Sequence, residues 1–211
     1  EMQDYFKNIP EIHFEGENSD NPLAFKFYDE NKTILGKSMK EHFRFATCYW
    51  HTFTWPGLDP FGGQTFERPW MGNGDPIKMA EQKLNCAFDF FTKIKTPFFC
   101  FHDRDIAPEG SNYKETQKNF MHIIDLMENK IEETGMKLLW GTANAFSHKR
   151  YMSGASTNPD PEVFAYKAAQ VKDCMDATLR LGGQNYVLWG GREGYETILN
   201  TDMSKEMDNL K

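Results

Sequence analysis

The nine residues from Pro97 to Asp105 constrain this chain more than any other stretch. Pro97-Phe98-Phe99-Cys100-Phe101 is apolar throughout and too short for a packed helix, so it reads as a buried strand of the kind found in parallel sheets. His102, Asp103, Arg104 and Asp105 follow at once, which places four ionisable groups at the strand's carboxyl end. In parallel α/β sheets that is the end where ligands bind. His102 and Asp105 are three residues apart on a chain leaving its strand, close enough for the carboxylate to hold one ring nitrogen and leave the other free for a substrate. An isolated His-x-x-Asp is more often a strand-end histidine followed by a capping aspartate. What favours chemistry here is that the same layout recurs along the chain.

Residues 1–42 form an irregular extension with scattered aromatics and turn signals such as Gly16 and Asn21-Pro22. From residue 43 to 211 the texture is regular. A strand expected over 43–50 leads into a loop from His51 to Asp75 with three prolines and five glycines, a length that is usually functional. Asp75-Pro76 then supplies an N-cap and a first-turn proline, and Leu84, Ala87, Phe88 and Phe91 repeat at helical spacing. The strand over 97–102 is followed by a helix with Asn112 and Glu115 as a capping box, a stripe of Phe120, Ile123, Ile124, Met127 and Ile131, and Gly135 as its stop. A third strand over 136–140 precedes a helix opened by Asp160-Pro161, whose expected core stripe is Phe164, Ala168, Val171, Met175 and Leu179. A fourth strand, Asn185 to Trp189, leads to a helix beginning at Thr201-Asp202. Four successive strand-loop-helix units with right-handed crossovers predict a parallel sheet. Each unit puts polar and aromatic residues just after its strand: Trp50-His51, His102 to Asp105, Thr142 to Phe146, Trp189 to Glu193. That is how a (β/α)8 barrel builds a site, but only four of eight units are present.

The net charge of -7 and the scattering of basic residues among more numerous acidic ones exclude nucleic acid as the main partner. The four cysteines lie far apart without metal spacing and read as reduced core thiols, so a cytoplasmic location is expected. No apolar run approaches a membrane span, and the N-terminus has no signal-peptide pattern, so no membrane partner is expected.

Five segments resemble xylose isomerase of the longer-chain bacterial type: Tyr49-Trp50-His51-Thr52-Phe53, Asp59-Pro60-Phe61-Gly62, Phe99-Cys100-Phe101-His102-Asp103-Arg104-Asp105, Trp140-Gly141-Thr142-Ala143-Asn144, and Leu188-Trp189-Gly190-Gly191-Arg192-Glu193-Gly194. The resemblance implies a TIM barrel that interconverts D-xylose with D-xylulose, and D-glucose with D-fructose, by a hydride shift assisted by two divalent cations, Mg2+, Mn2+ or Co2+. It implies that His102 holds and helps open the cyclic sugar, with Asp105 orienting its ring. Trp50, Phe146 and Trp189 would wall the apolar part of the pocket, Thr142 would offer a polar contact to the sugar, and Phe61 would reach into a neighbouring subunit. For each aromatic, ordinary core packing is the commoner fate, and position at strand ends tips the balance.

The resemblance also has a gap. The family's metal ligands are introduced by a Glu-Pro-Lys-Pro segment that also supplies its catalytic lysine and does not occur here, and Glu193, Glu196 and Asp202 after Trp189 form no cluster with metal spacing. The chain therefore resembles the N-terminal half of such an enzyme, and alone it is expected to bind no metal and to isomerise no sugar. A half barrel leaves sheet edges and an inner face open, so a homo-oligomer is expected. The alternative to an enzyme piece is a non-catalytic, self-associating half-barrel scaffold. The WGGREG and FHDRD segments argue against other sugar epimerases or nucleases on the same barrel.

Overall fold

A computed structural model describes residues 4–72, 74–194 and 197–211; Glu196 lies outside them. A short antiparallel hairpin, β1 (Thr33–Ile34) and β2 (Lys37–Ser38), runs into a one-turn helix α1 (Met39–His42). The main sheet follows: β3 (Ala46–Cys48), helix α2 (Pro76–Ile94), β4 (Phe98–His102), the short helix α3 (Asp103–Ile106), α4 (Tyr113–Thr134), β5 (Lys137–Thr142), α5 (Pro161–Arg180), β6 (Asn185–Tyr186) and α6 (Met203–Leu210). The four main strands pair in chain order, β3-β4-β5-β6, all parallel. This is a mixed α/β fold built on a parallel four-stranded sheet, as the repeated units predict. Among the described residues no helix is long and apolar enough to cross a membrane.

The helix boundaries follow local chemistry. The Asp75 side chain accepts from the Ile77 and Lys78 amides with Pro76 at the first helical position, and Asp160 does the same from Glu162 ahead of Pro161. Asn112 caps α4 by accepting from the Glu115 amide, but Glu115 reaches back to Ser111 rather than to Asn112, so the expected capping box is displaced by one residue. Gly135 ends α4 in the left-handed region, as expected. Lys95 ends α2 the same way at φ 56°, an unusual place for a lysine, and its ammonium is held 2.7 Å from Glu30.

The core lies between the sheet and α2 and α4. Phe99, Phe101 and Leu138 point from the sheet into it, against Leu84, Phe88 and Phe91 of α2 and Phe120, Ile123, Ile124 and Met127 of α4. Phe91 and Phe99 stack at 5.4 Å, and Phe88 meets Phe99 edge-on. The opposite alternation of β4, through Cys100 and His102, turns to the other face.

Three expectations need correction. The strand expected over 43–50 is confined to Ala46–Cys48, and the strand expected over 185–189 to Asn185–Tyr186. Both are outer strands, bonded on one side only, so ladder geometry fails early. The third correction concerns α5. Most of its expected core stripe does not face the sheet: Phe164, Ala168, Met175 and Leu179 are exposed and only Val171 packs partly against the core, whereas Gln170, Cys174, Ala177 and Thr178 are buried. Beneath α5 lie a glycine of the sheet, Gly141, and the buried carboxylate of Asp103 at the start of α3, so small and polar residues fit there and large apolar ones do not.

That close approach is testable. A Cβ on Gly141 would lie 2.3 Å from the Thr178 hydroxyl, which is fixed by donating to the Cys174 carbonyl at 2.7 Å. Gly141→Ala is expected to destabilise the chain by about 1–3 kcal/mol in urea unfolding. Gly62→Ala, with nothing within 4 Å of the added methyl, should change stability by less than about 0.5 kcal/mol.

Candidate active site

The strand register aligns the carboxyl ends of the sheet. His102 of β4 pairs with Thr142 of β5, and Cys100 pairs with Cys48 on one side and Trp140 on the other. From this line the chain leaves β4 into the α3 turn, where every ionisable side chain is engaged.

Asp105 is almost fully buried and holds His102 twice: one oxygen, Oδ2, accepts from the His102 backbone amide at 3.0 Å and pairs with ring Nδ1 at 2.7 Å. A carboxylate only accepts, so Nδ1 carries the proton and Nε2 is the nitrogen left for a ligand. Burial lowers the affinity of His102 for a second proton, but the Asp105 hydrogen bond and charge outweigh it and hold the imidazole above its ordinary range. Asp105 Oδ1 is buried without a hydrogen-bond partner.

Asp103 points the other way and serves as a structural clasp. It accepts from the Asn144 amide at 2.8 Å and from Gln170 of α5 at 2.7 Å, and it pairs with Arg104 at 3.1 Å. Burial raises its carboxyl above the usual carboxylate range, and Arg104 with these donors pulls it partly back. One turn therefore ties together β4, the loop after β5 and α5.

The residues singled out in sequence distribute as follows. Trp50 and Phe146 both stand edge-on to the His102 ring, at 6.5 Å and 5.6 Å between centroids. Thr142 is buried and donates to the Val187 carbonyl at 2.5 Å, so its hydroxyl binds the next loop. Trp189 is 55 % exposed and reaches the group through Gly191, where an added Cβ would touch both Trp189 Nε1 and Phe146 Cδ1. Phe61 is 98 % exposed at the tip of a tight turn whose Asp59 side chain accepts from its amide. A cavity of about 570 Å3 between α5, β6 and α6 has Thr142 and Trp189 in its wall but neither His102 nor Asp105.

Three further side chains belong to this group. Trp140 stands edge-on to His102 at 6.2 Å, on the face that the two-residue alternation of β5 would give it. Glu193 is clamped by the backbone amides of Ala155, Ser156 and Thr157 and by the Thr157 hydroxyl, which fastens the loop bearing Trp189 to the loop after β5. These donors hold its carboxyl below the usual range although burial alone would raise it. Lys83 of α2 is the third. In the sequence it is a lysine one turn ahead of Ala87 on an otherwise apolar stripe.

No family profile matches the chain. Individual relatives match closely. The chain is 62 % identical over 209 residues to a xylose isomerase of Photobacterium profundum, covering 99 % of this chain and 48 % of that protein. It is 60 % identical over 206 residues to the xylose isomerase of Paraburkholderia phytofirmans, and 58 % identical over 205 residues to that of Roseobacter denitrificans, covering 98 % and 97 % of this chain and 47 % of each relative. The chain thus spans about half the length of the curated relatives it matches.

The His102–Asp105 pair gives a pH-dependent stability of defined sign. A histidine whose folded pKa is raised contributes stability that is fully present below its unfolded pKa and is lost as pH rises through the folded value. In urea unfolding, the stability gap between the chain and His102→Gln should be larger at about pH 5.5 than at about pH 8.5. A gap that stays constant or grows with pH would show that the ring is not held as an imidazolium.

Proposed function

We propose that this chain, which in sequence belongs to the xylose isomerase family and spans about half the length of its relatives, is the sugar-holding part of an aldose-ketose isomerase. The observation that supports this most is the His102–Asp105 pair, oriented at 2.7 Å at the carboxyl end of the sheet with its ring bordered by Trp50, Trp140 and Phe146. In this reading residues 43–211 are the first four units of a TIM barrel and residues 1–42 an extension packed beside them. Its setting is the cytoplasm.

The chemistry assigned to this chain is local. His102, with Nδ1 fixed by Asp105, presents Nε2 to the sugar; as the imidazolium it donates to the ring oxygen and eases opening of the cyclic form of D-xylose or D-glucose. Three rings around it exclude water from the apolar edge of the sugar, with Trp189 closing the fourth side. Thr142 acts through the Val187 carbonyl, setting the position of the loop that bears Trp189. Phe61, fully outside its own fold, is suited to insertion into a neighbouring subunit.

Divalent cations, which sugar isomerisation of this type uses to polarise the open-chain oxygens, do not fit the residues described here. Among these residues no three His, Cys, Asp or Glu side chains converge on a common point. Asp103 and Glu193 spend their oxygens on backbone and side-chain donors, and Asp105 spends one of its two on His102. Isomerisation on this reading needs the remainder of a barrel.

A second reading, a self-associating scaffold, draws on one observation. The side of the fold beyond β6 exposes Leu179, Leu188 and Leu199 at 75 %, 76 % and 87 %, next to a strand bonded on one side only. The two readings separate experimentally. Mixed with the remaining half of the Photobacterium profundum relative and Mg2+, the chain should convert D-xylose to D-xylulose, whereas alone it should not; His102→Asn in the mixture should lower the rate by about 100-fold or more. Full activity of the His102→Asn mixture would overturn the assignment of His102. In sedimentation, a homo-oligomer is expected for the chain alone, and a monodisperse monomer would remove the scaffold reading.

A further inference from the structure

Behind the His102–Asp105 pair, on the side away from the ring, lies a group that neither the pair nor the aromatic wall explains. Lys83 projects from the apolar face of α2, between Ala80 and Ala87, which are themselves buried. Its ammonium is 3.4 Å from the Thr54 hydroxyl, and that hydroxyl donates to the Asp105 backbone carbonyl at 3.3 Å. A lysine interior to a helix stripe is costly unless a negative charge compensates it. A negative charge is present: Asp105, 1 % exposed, keeps its second oxygen, Oδ1, without a hydrogen-bond donor. The Tyr49 hydroxyl is also buried without a partner, and burial, with the Cys86 and Asp105 charges, holds it well above its ordinary range.

We propose that Lys83 is a positioning residue for the His102–Asp105 pair: through Thr54 it braces the turn that carries Asp105, and from beyond direct ion-pair distance its ammonium acts as a counter-charge to the Asp105 carboxylate. The inference rests on the reading of His102 as the sugar-facing imidazole, but the coupling it describes exists whether or not a sugar binds. The consequence is electrostatic. With Lys83 charged, Asp105 divides its attraction between two cations, so His102 holds its second proton less tightly than it would against Asp105 alone. A ring that must give up a proton and take it back works best when neither state dominates.

The other titratable groups around the pair do not supply this balance. The Asp105 charge also acts on Cys100 of β4 and on Tyr49 ahead of the π-helical turn Trp50–Thr54, and Cys48 and Asp103 act on His102; each of these is neutral or anionic when it titrates. Burial pulls the Lys83 ammonium down to about 8, with the Asp105 charge opposing that fall, which brings the lysine into range of the histidine's own titration.

The test is a pH titration followed by 13C NMR at the Lys83 Cε and the His102 ring, first on the unaltered chain and then on Lys83→Met and Lys83→Arg. In the unaltered chain, the Lys83 signal should titrate below the ordinary lysine range and show a second, smaller step at the pH where His102 titrates. Lys83→Met should raise the His102 pKa by about half a unit or more, and Lys83→Arg should restore it to within about 0.2 of the parent. A purely structural role would lower stability in Lys83→Met and leave the His102 pKa where it was; that result overturns the proposal. Should Lys83→Met fail to fold, an unaltered chain whose Lys83 titrates as an ordinary lysine with no step at His102 overturns it equally. A coupling that holds while D-xylose leaves His102 unmoved would reject the sugar reading and retain Lys83 as the counter-charge.

Discussion

Two buried carboxylates in one short turn hold the rest of this structure in register. Asp105 faces inward along β4 and fixes the His102 ring; Asp103, two residues earlier, faces outward and takes hydrogen bonds from the loop after β5 and from α5. A buried carboxylate is unfavourable unless its lone pairs are met, so each of these groups compels its neighbours into place. Asn144 must present its amide and Gln170 its side-chain amide, which brings α5 down onto the sheet at one height. Arg104, between the two aspartates, pairs with Asp103 and lies near Glu109, which Arg150 also binds. The polar clasp runs from the end of β4 to the loop after β5, and two of the rings beside His102, Trp140 and Phe146, are carried by the segments it fastens.

The same clasp explains why α5 is two-faced. Its sheet side is small and polar because it meets Gly141 and Asp103; its large apolar residues lie on the side facing α6 and the cavity bordered by Trp189. In an ordinary outer helix of an α/β layer the apolar stripe would face the sheet. Here the apolar stripe marks a surface on which more structure can pack, at the side of the fold where β6 is a two-residue strand with one bonded edge. Glu193 contributes to the same region from within, because three backbone amides of the 155–157 turn converge on its carboxylate and pin the glycine-rich loop.

Much of this was legible in the sequence for physical reasons that act locally. Asp-Pro pairs at helix starts, glycine at the end of α4, and an uninterrupted apolar run at 98–101 each specify structure within a few residues. The elements they predicted are the best placed. Edge strands were overestimated, because a strand's extent depends on a partner that a linear reading cannot supply; Phe43 to Phe45 have the right residues for a strand and are instead half-exposed, with Phe43 and Phe45 stacked on each other. The α5 stripe was misplaced because its correct face is defined by two distant residues, Asp103 and Gly141. His102 and Asp105 could be paired because their spacing allows it and the same strand-end layout recurs along the chain. Trp140 and Lys83 could not be ranked without knowing which side of β5 and of α2 turns toward the pair.

The measurement that most directly tests whether this strand end is a sugar site is 15N NMR of the His102 ring during titration with D-xylose. The account predicts that Nε2 shifts as sugar is added, while Nδ1, held by Asp105 at 2.7 Å, stays nearly fixed. If both ring nitrogens remain unmoved at saturating sugar, or if Nδ1 rather than Nε2 responds, His102 and Asp105 are a structural clasp and the sugar-holding role assigned to them is wrong.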